Sequence, residues 1–372
     1  MKPLNFIELK VKDIVAVIEE IAPLSYQESY DNAGLIVGRY DWELTGALIC
    51  LDVVEEVVEE AIEKGLNLII SHHPIVFKGL KRFNGNNYVE RTVMLAIQNN
   101  IAIYSAHTNL DSVKGGVSDK MCDVLNLKNR KILEPVSDDL KKLVTYVPCD
   151  KAEVLRNSLF EAGAGHIGNY DSCSFNSSGE GTFKANEDAS PYVGERGELH
   201  YEAETRIETV FPKHLQGKVI NALHRAHPYE EVAYDIYSLD NKNCQVGLGM
   251  IGELETPMDT LAFLKKLKDV FHCGAIRYTP IVKDQVQKVA LCGGSGSFLL
   301  SKAKAAKADI YITGDFKYHE FFDAEGKLIV ADIGHYESEQ FTREIFYEIV
   351  TKKFPNFAVY ISEINSNPIN YL

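Results

Sequence analysis

The sequence predicts an α/β protein: a duplicated α/β core, three layers deep (αβα), interrupted by a ferredoxin-like α+β insert. Three observations predict it. Residues 47–111 read strand, helix, strand, helix, strand, the order of a parallel sheet with helices on its faces. The same order returns at 288–339. Between them, 128–246 reads β-α-β-β-α-β, the ferredoxin-like order. The implied domains are 1–127 and 247–372, two parts of one core, with 128–246 as the insert.

In chain order, Ile14, Val15, Val17, Ile18 and Ile21 recur at helical steps and predict a helix over 8–23, ended by Pro23. A strand follows at 47–51, then an amphipathic acidic helix at 53–64 closed by Gly65. The apolar run Leu66-Asn67-Leu68-Ile69-Ile70 is a buried strand, 87–99 a helix and 101–105 a strand. In the insert, strands are expected at 142–147, 166–175, 205–210 and 232–239, with helices at 151–162 and 212–226. Asp150 suits the N-cap of the first of these helices. Residues 176–199, rich in Ser, Gly, Glu and Asn, read as a loose hairpin or exposed loop. The core resumes at 247–252. It continues with a strand at 288–291, a helix at 298–307, strands at 309–313 and 328–331, a helix at 339–352 and a last strand at 358–361.

Composition excludes several classes. With 45% hydrophobic and 25% charged residues the chain is an ordinary globular one, not a disordered one. No apolar stretch approaches the roughly 20 residues of a membrane helix, and the N-terminus lacks signal-peptide character. A net charge of −14 argues against a broad nucleic-acid surface. Seven scattered cysteines without a CxxC pair read as reduced thiols, hence a cytoplasmic protein.

The chemistry gathers at strand ends. Ser71-His72-His73-Pro74 follows a buried strand, where two polar rings need partners or a function. His107 and Asp111 stand four apart after a second strand, and His335 and Glu339 four apart after a third. When the two halves are overlaid, His72-His73 falls opposite Gly314-Asp315, and His107/Asp111 opposite His335/Glu339. Ligands of open α/β sheets sit beyond the carboxyl ends of strands. Imidazole and carboxylate without thiolate suit one or two divalent ions: zinc, iron or manganese. Asp111 and Glu339 are the natural bridges; His72, His73 and His335 supply terminal nitrogens. His107 is either a ligand or a hydrogen-bond donor to Asp111. The spacing of four places a pair on one face only where a helix begins; 107–111, followed by Gly115-Gly116, is a helix start or a turn. The Gly293-Gly294-Ser295-Gly296 turn can cradle a phosphate or simply join strand to helix. His227-Pro228-Tyr229-Glu230-Glu231 reads as a structural turn before a strand.

Tyr30-Asp31-Asn32-x-Gly34-Leu35, Ser71-His72-His73-Pro74, Ala106-His107-Thr108-Asn109-Leu110-Asp111, Thr313-Gly314-Asp315 and Gly334-His335-x-x-x-Glu339 together resemble the GTP cyclohydrolase I type 2 homologue family, also called NGG-one-interacting-factor-three-like. Tyr30 departs from the tryptophan usual there. The resemblance implies a dinuclear site of His72, His73, Asp111, His335 and Glu339. It also implies a toroidal homohexamer with the sites facing an internal cavity, and an insert similar to PII and CutA proteins.

The expected function is a metal-dependent hydrolase acting on a nucleotide or another phosphorylated small molecule, GTP ring opening by resemblance. His107 or Asp315 would move protons, with His319 a further candidate. The rival expectation is a metal-binding regulator, chaperone or assembly platform without turnover.

Overall fold

The computed structural model describes residues 8–372. The chain divides into two compact units, 1–134 with 246–372, and 135–245. Among the described residues no helix is long and apolar enough to cross a membrane.

The first unit opens with α1 (Val11–Ile21), β1 (Gly34–Val37), β2 (Ala47–Cys50), α2 (Glu55–Glu63), β3 (Leu68–Ser71), α3 (Tyr88–Gln98) and β4 (Ala102–Ser105). A single helical turn, α4 (Thr108–Asp111), then α5 (Val117–Leu125) and β5 (Lys128–Val136) lead to the insert. The apolar spacing that predicts α1 buries Val11, Ile14, Val15 and Ile18 on one face. Its first turn is closed by the Lys10 N–H donating to the Asp13 carboxylate.

The insert holds β6 (Leu140–Pro148), α6 (Ala152–Glu161), β7 (Ser174–Lys184), β8 (Leu199–Pro212), α7 (Gln216–Ala226) and β9 (Tyr234–Ser238). The remainder is β10 (Asn243–Asp259), α8 (Thr260–Val270), β11 (Arg277–Tyr278), β12 (Gln285–Ser295), α9 (Leu300–Ala305), β13 (Ile310–Gly314), β14 (Ile329–Asp332), α10 (His335–Glu339), α11 (Thr342–Lys353) and β15 (Val359–Ile361).

The core contains two sheets of related order. One runs β1-β4-β3-β2-β15, the other β11-β14-β13-β12-β10-β5. In each, a parallel run, β15-β2-β3-β4 in the first and β12-β13-β14 in the second, is flanked by an antiparallel edge strand, β1 on β4 and β11 on β14. Both faces are buried, so the central strands read as unbroken apolar runs. Ile49, Ile70 and Tyr104 face α1 and α11, while Leu48, Ile69 and Ile103 face α2 and α3. Likewise Leu291, Ile312 and Ala331 pack with Phe263 and Leu267 of α8, and Ala290, Tyr311 and Val330 pack with α9. The parallel register sets Cys50, Ser71 and Ser105 level, so the segments after β2, β3 and β4 leave the sheet side by side.

Several sequence expectations move. Asp150 does not cap α6: it lies in the single turn 149–151 before it, and Lys151 stands at the N-cap without a side-chain bond. Lys128 does not begin the insert, because β5 is the edge strand of the second core sheet. The strand expected at 166–175 starts only at Ser174, since Ile167 and Tyr170 close a turn on each other. It then runs to Lys184 and pairs along its whole length with β8, so of the two readings of 176–199, loose hairpin or exposed loop, the structure shows a hairpin, and a long, regular one. Its nearly all-exposed pattern carries no period-two hydrophobic signal; backbone pairing alone defines it. The insert's strand order is β7-β8-β6-β9, the split β-α-β arrangement, over a core of Leu143, Leu155, Leu159, Ile207, Phe211 and Leu223.

Candidate metal centre

β3 delivers His72 and His73, β4 delivers His107, α4 ends on Asp111, and α10 spans His335 to Glu339. The 107–111 segment is a helical turn, with the Asp111 N–H donating to the His107 carbonyl. Both His-x-x-x-acid pairs therefore put their members on one helix face.

The side chains converge. His72 Nε2 lies 3.7 Å from Asp111 Oδ1 and 3.7 Å from Glu339 Oε1. His73 Nε2 and His335 Nε2 each lie 3.0 Å from Glu339 Oε2 and 3.3 Å from one another. Three overlapping groups have ligand atoms within 4.8 Å of each other: His72/His73/His107, His73/His335/Glu339 and His72/Asp111/Glu339. His72 and Glu339 are buried, while the His335 side chain is 34% exposed and opens the cluster to solvent.

Every imidazole is aimed by its other nitrogen. His72 Nδ1 donates to the Ala106 carbonyl at 2.9 Å, which leaves a lone pair on Nε2. His73 Nδ1 bonds Asp52 at 2.7 Å, His107 Nδ1 bonds Asp31 at 2.7 Å, and His335 Nδ1 bonds Asp315 at 2.7 Å. Such outer partners fix ring orientation and raise the basicity of the free nitrogen. The acids are themselves held: Ser366 donates to Asp52, and Thr108 donates to Asp31 through N–H and hydroxyl.

Charge is strained in this arrangement. Burial, then the nearby Glu339 charge, pushes the Asp111 carboxyl up to about 7. Burial would raise Glu339 too, but His335 and His72 outweigh it and hold that carboxyl well below its usual range. Burial disfavours charge on His73 and His335, yet their carboxylate partners win and raise them to about 10 and about 11. Asp31 is similarly held down to about 2, the bonds from His107 and Thr108 overcoming burial.

A divalent cation fits these donors. His72 Nε2, Asp111 Oδ1 and Glu339 Oε2 are buried without a hydrogen-bond partner. Glu339 Oε2 is close to two ring nitrogens, but no N–H points at it. Buried polar atoms left unpaired cost about 1–3 kcal/mol each, and a cation at their centre removes that cost.

Two glycines make room. A Cβ on Gly294, at φ +59°, would stand 2.2 Å from Glu339 Oε1. One on Gly314 would stand 2.8 Å from the backbone nitrogen of His335.

The five sequence-predicted ligands thus lie together, with His107 beside them. Asp315 is present as the partner of His335. His319 is not in the cluster; its exposed ring packs against Tyr318 and Phe322. Asp52 was missed in the sequence, as was the role of Asp31; a carboxylate just past a buried strand, as at Cys50-Leu51-Asp52, was the available signal.

An α/β body that turns histidines and carboxylates from several strand ends onto one point defines a protein with a cluster that could hold a metal ion. The chain belongs to the Duf34/NIF3 (NGG1p interacting factor 3) family, whose profile matches residues 9–368. It is 40% identical over 367 residues to the GTP cyclohydrolase 1 type 2 homolog of Bacillus subtilis (strain 168), covering 97% of this chain and 98% of that one. Among solved structures it is similar to a Bacillus cereus protein related to NIF3, with 39% identity, TM-score 0.86, and coverage of 98% and 100%. It is also similar to Staphylococcus aureus protein SA1388, with 30% identity, TM-score 0.77, and coverage of 98% and 99%.

Proposed function

We propose that this protein is a dinuclear, divalent-metal-dependent hydrolase acting on a nucleotide or another phosphorylated small molecule. The observation that carries the reading is the set of buried, partnerless donor atoms on His72, Asp111 and Glu339, next to two further imidazoles. In this reading His72, His73 and His335 would hold the ions through their imidazoles, and Asp111 and Glu339 would be the shared carboxylates. Zinc, iron or manganese, bound there, would supply Lewis acidity and acidify a water toward neutral pH. The chain's own work is orientation and proton handling. Asp52 and Asp315 hold His73 and His335. His107, tied to Asp31, keeps its Nε2 for a proton or a ligand bond. His319 has no contact with the cluster to recommend it as a proton carrier. The printed name of the relatives makes GTP the first substrate to test.

The strand order of the insert supports a PII/CutA-like domain, and the matched sheet orders support a duplicated core. The assembly we propose is a homohexamer, which light scattering on the purified chain tests. Seven free thiols support a cytoplasmic site of action. A regulator without turnover is the rival; a separate cavity in the insert favours it.

The test is metal content after chelator-free purification, followed by turnover of a nucleotide panel. Metal-dependent release of product that His72→Ala abolishes supports the hydrolase. Stoichiometric metal without turnover of any substrate supports the regulator.

A further inference from the structure

The insert carries a cavity of about 780 Å³, every lining residue of which lies within 135–245. That volume falls in the range of about 300–1,000 Å³ typical of small-molecule sites. It is far more than a lone metal ion needs, and neither histidine nor cysteine lines it. Aromatic rings crowd its wall. The Tyr229 ring lies 6.1 Å from Phe183 and 6.2 Å from Tyr192, inclined at 60° and 51°.

Beside them sits the Glu204 carboxylate, only 8% exposed. Its Oε1 accepts the Tyr229 hydroxyl at 2.9 Å. The neighbouring strand leaves space in front of it, since a Cβ on Gly181 would stand 2.2 Å from Oε2. Among the described residues no cation pairs with Glu204. Arg206, which also lines the cavity, is engaged by Glu208 at 2.9 Å.

The turn His227-Pro228-Tyr229-Glu230-Glu231 builds this wall. His227 Nδ1 accepts the Tyr229 N–H at 3.1 Å, so Nε2 carries the proton and donates to the Tyr146 carbonyl at 2.8 Å. The imidazole thereby pins Tyr229 in place. Glu230 accepts the Ser190 N–H at 2.7 Å and ties the hairpin loop to the same wall.

A buried carboxylate without a counter-ion, set among aromatic rings, is the chemistry that recognises an organic cation. Five acids against two bases on the lining disfavour an anionic ligand. We propose that the insert binds an organic ammonium compound, its charged head on Glu204 and between Phe183, Tyr192 and Tyr229. The occupant is an alkylammonium on an extended body, since the cavity exceeds a single small ion.

The test uses the full chain titrated with spermidine in a calorimeter at fixed ionic strength, with Glu204→Gln and Tyr192→Ala alongside. The expected result is saturable binding of one molecule per chain. Glu204→Gln weakens it at least tenfold, and Tyr192→Ala, which trims a half-exposed ring, weakens it by about three- to tenfold. Metal content stays at the wild-type level in both variants, because neither residue belongs to the metal centre. If Glu204→Gln fails to fold, Tyr192→Ala alone decides. No saturable binding at millimolar spermidine, or wild-type affinity in both variants, would overturn the proposal.

Discussion

The two core sheets share a strand order and divide the chemistry. The first supplies nitrogen: His72 and His73 leave β3, His107 leaves β4, and Asp52 after β2 aims His73. The second supplies the His335 imidazole, the buried Glu339 carboxylate and the space around it. Where the first sheet has His72-His73, the second has Gly314-Asp315; where the first has Asp52, the second has Gly293-Gly294. Gly294 and Gly314 let Glu339 and His335 approach closer than any side chain permits. The difference teaches that two sheets of related strand order can share one candidate site when both provide donors and one of them also provides the clearance.

The largest break in this comparison is Glu339→Gln. It removes the carboxylate that touches both halves, and metal retained through gel filtration, read by elemental analysis, is expected to fall to background. The fold survives as judged by circular dichroism, because the variant is isosteric.

Next in size is pH. The carboxylates around His73 and His335 raise both rings above the ordinary imidazole range and favour a proton on the pair in the metal-free protein. Ligation needs neutral imidazole, so metal uptake releases protons and affinity tightens as pH rises. Between pH 6 and 8 the expected gain is up to about tenfold per pH unit for each proton displaced. Calorimetry in buffers of different ionisation enthalpy reads the proton count; a pH-independent affinity contradicts the reading.

Gly294→Ala sharpens the clearance argument. Its new methyl group meets Glu339 at a left-handed backbone position, and we expect a loss of about 1–3 kcal/mol in stability with a clear loss of metal. Gly65→Ala is the control. That residue also has positive φ, +66°, but open space around it. It should cost about 1 kcal/mol by thermal melting and leave metal binding unchanged.

The orienting acids should show the finest difference. Asp52→Asn and Asp315→Asn each weaken metal binding, within a range of about 10–100-fold. Asp52 should cost more: its side chain is 34% exposed against 52% for Asp315, and Ser366 braces it. Competition with a metal-sensitive dye measures the ranking.

Much of this was legible in the sequence because strand-end chemistry is local. A buried apolar run that ends in His72-His73 places those rings at a sheet's edge whatever the rest does. His335 and Glu339 likewise follow an apolar strand at a spacing that one helical turn makes meaningful. The Asp52–His73 bond was not legible, since it depends on the β2–β3 register, which no local pattern encodes. The β7–β8 hairpin was legible only as one of two readings, hairpin or loop, because its polar strands are held by backbone pairing rather than by a hydrophobic face. The glycines were visible as a Gly-rich turn, but the carboxylate they make room for lies about forty-five residues further on.

The most direct test is anomalous diffraction at the zinc absorption edge from crystals of chelator-free protein supplied with zinc. The account predicts paired peaks enclosed by His72, His73, His335, Asp111 and Glu339. Peaks elsewhere, or none in that cluster at full occupancy of the soak, would contradict it.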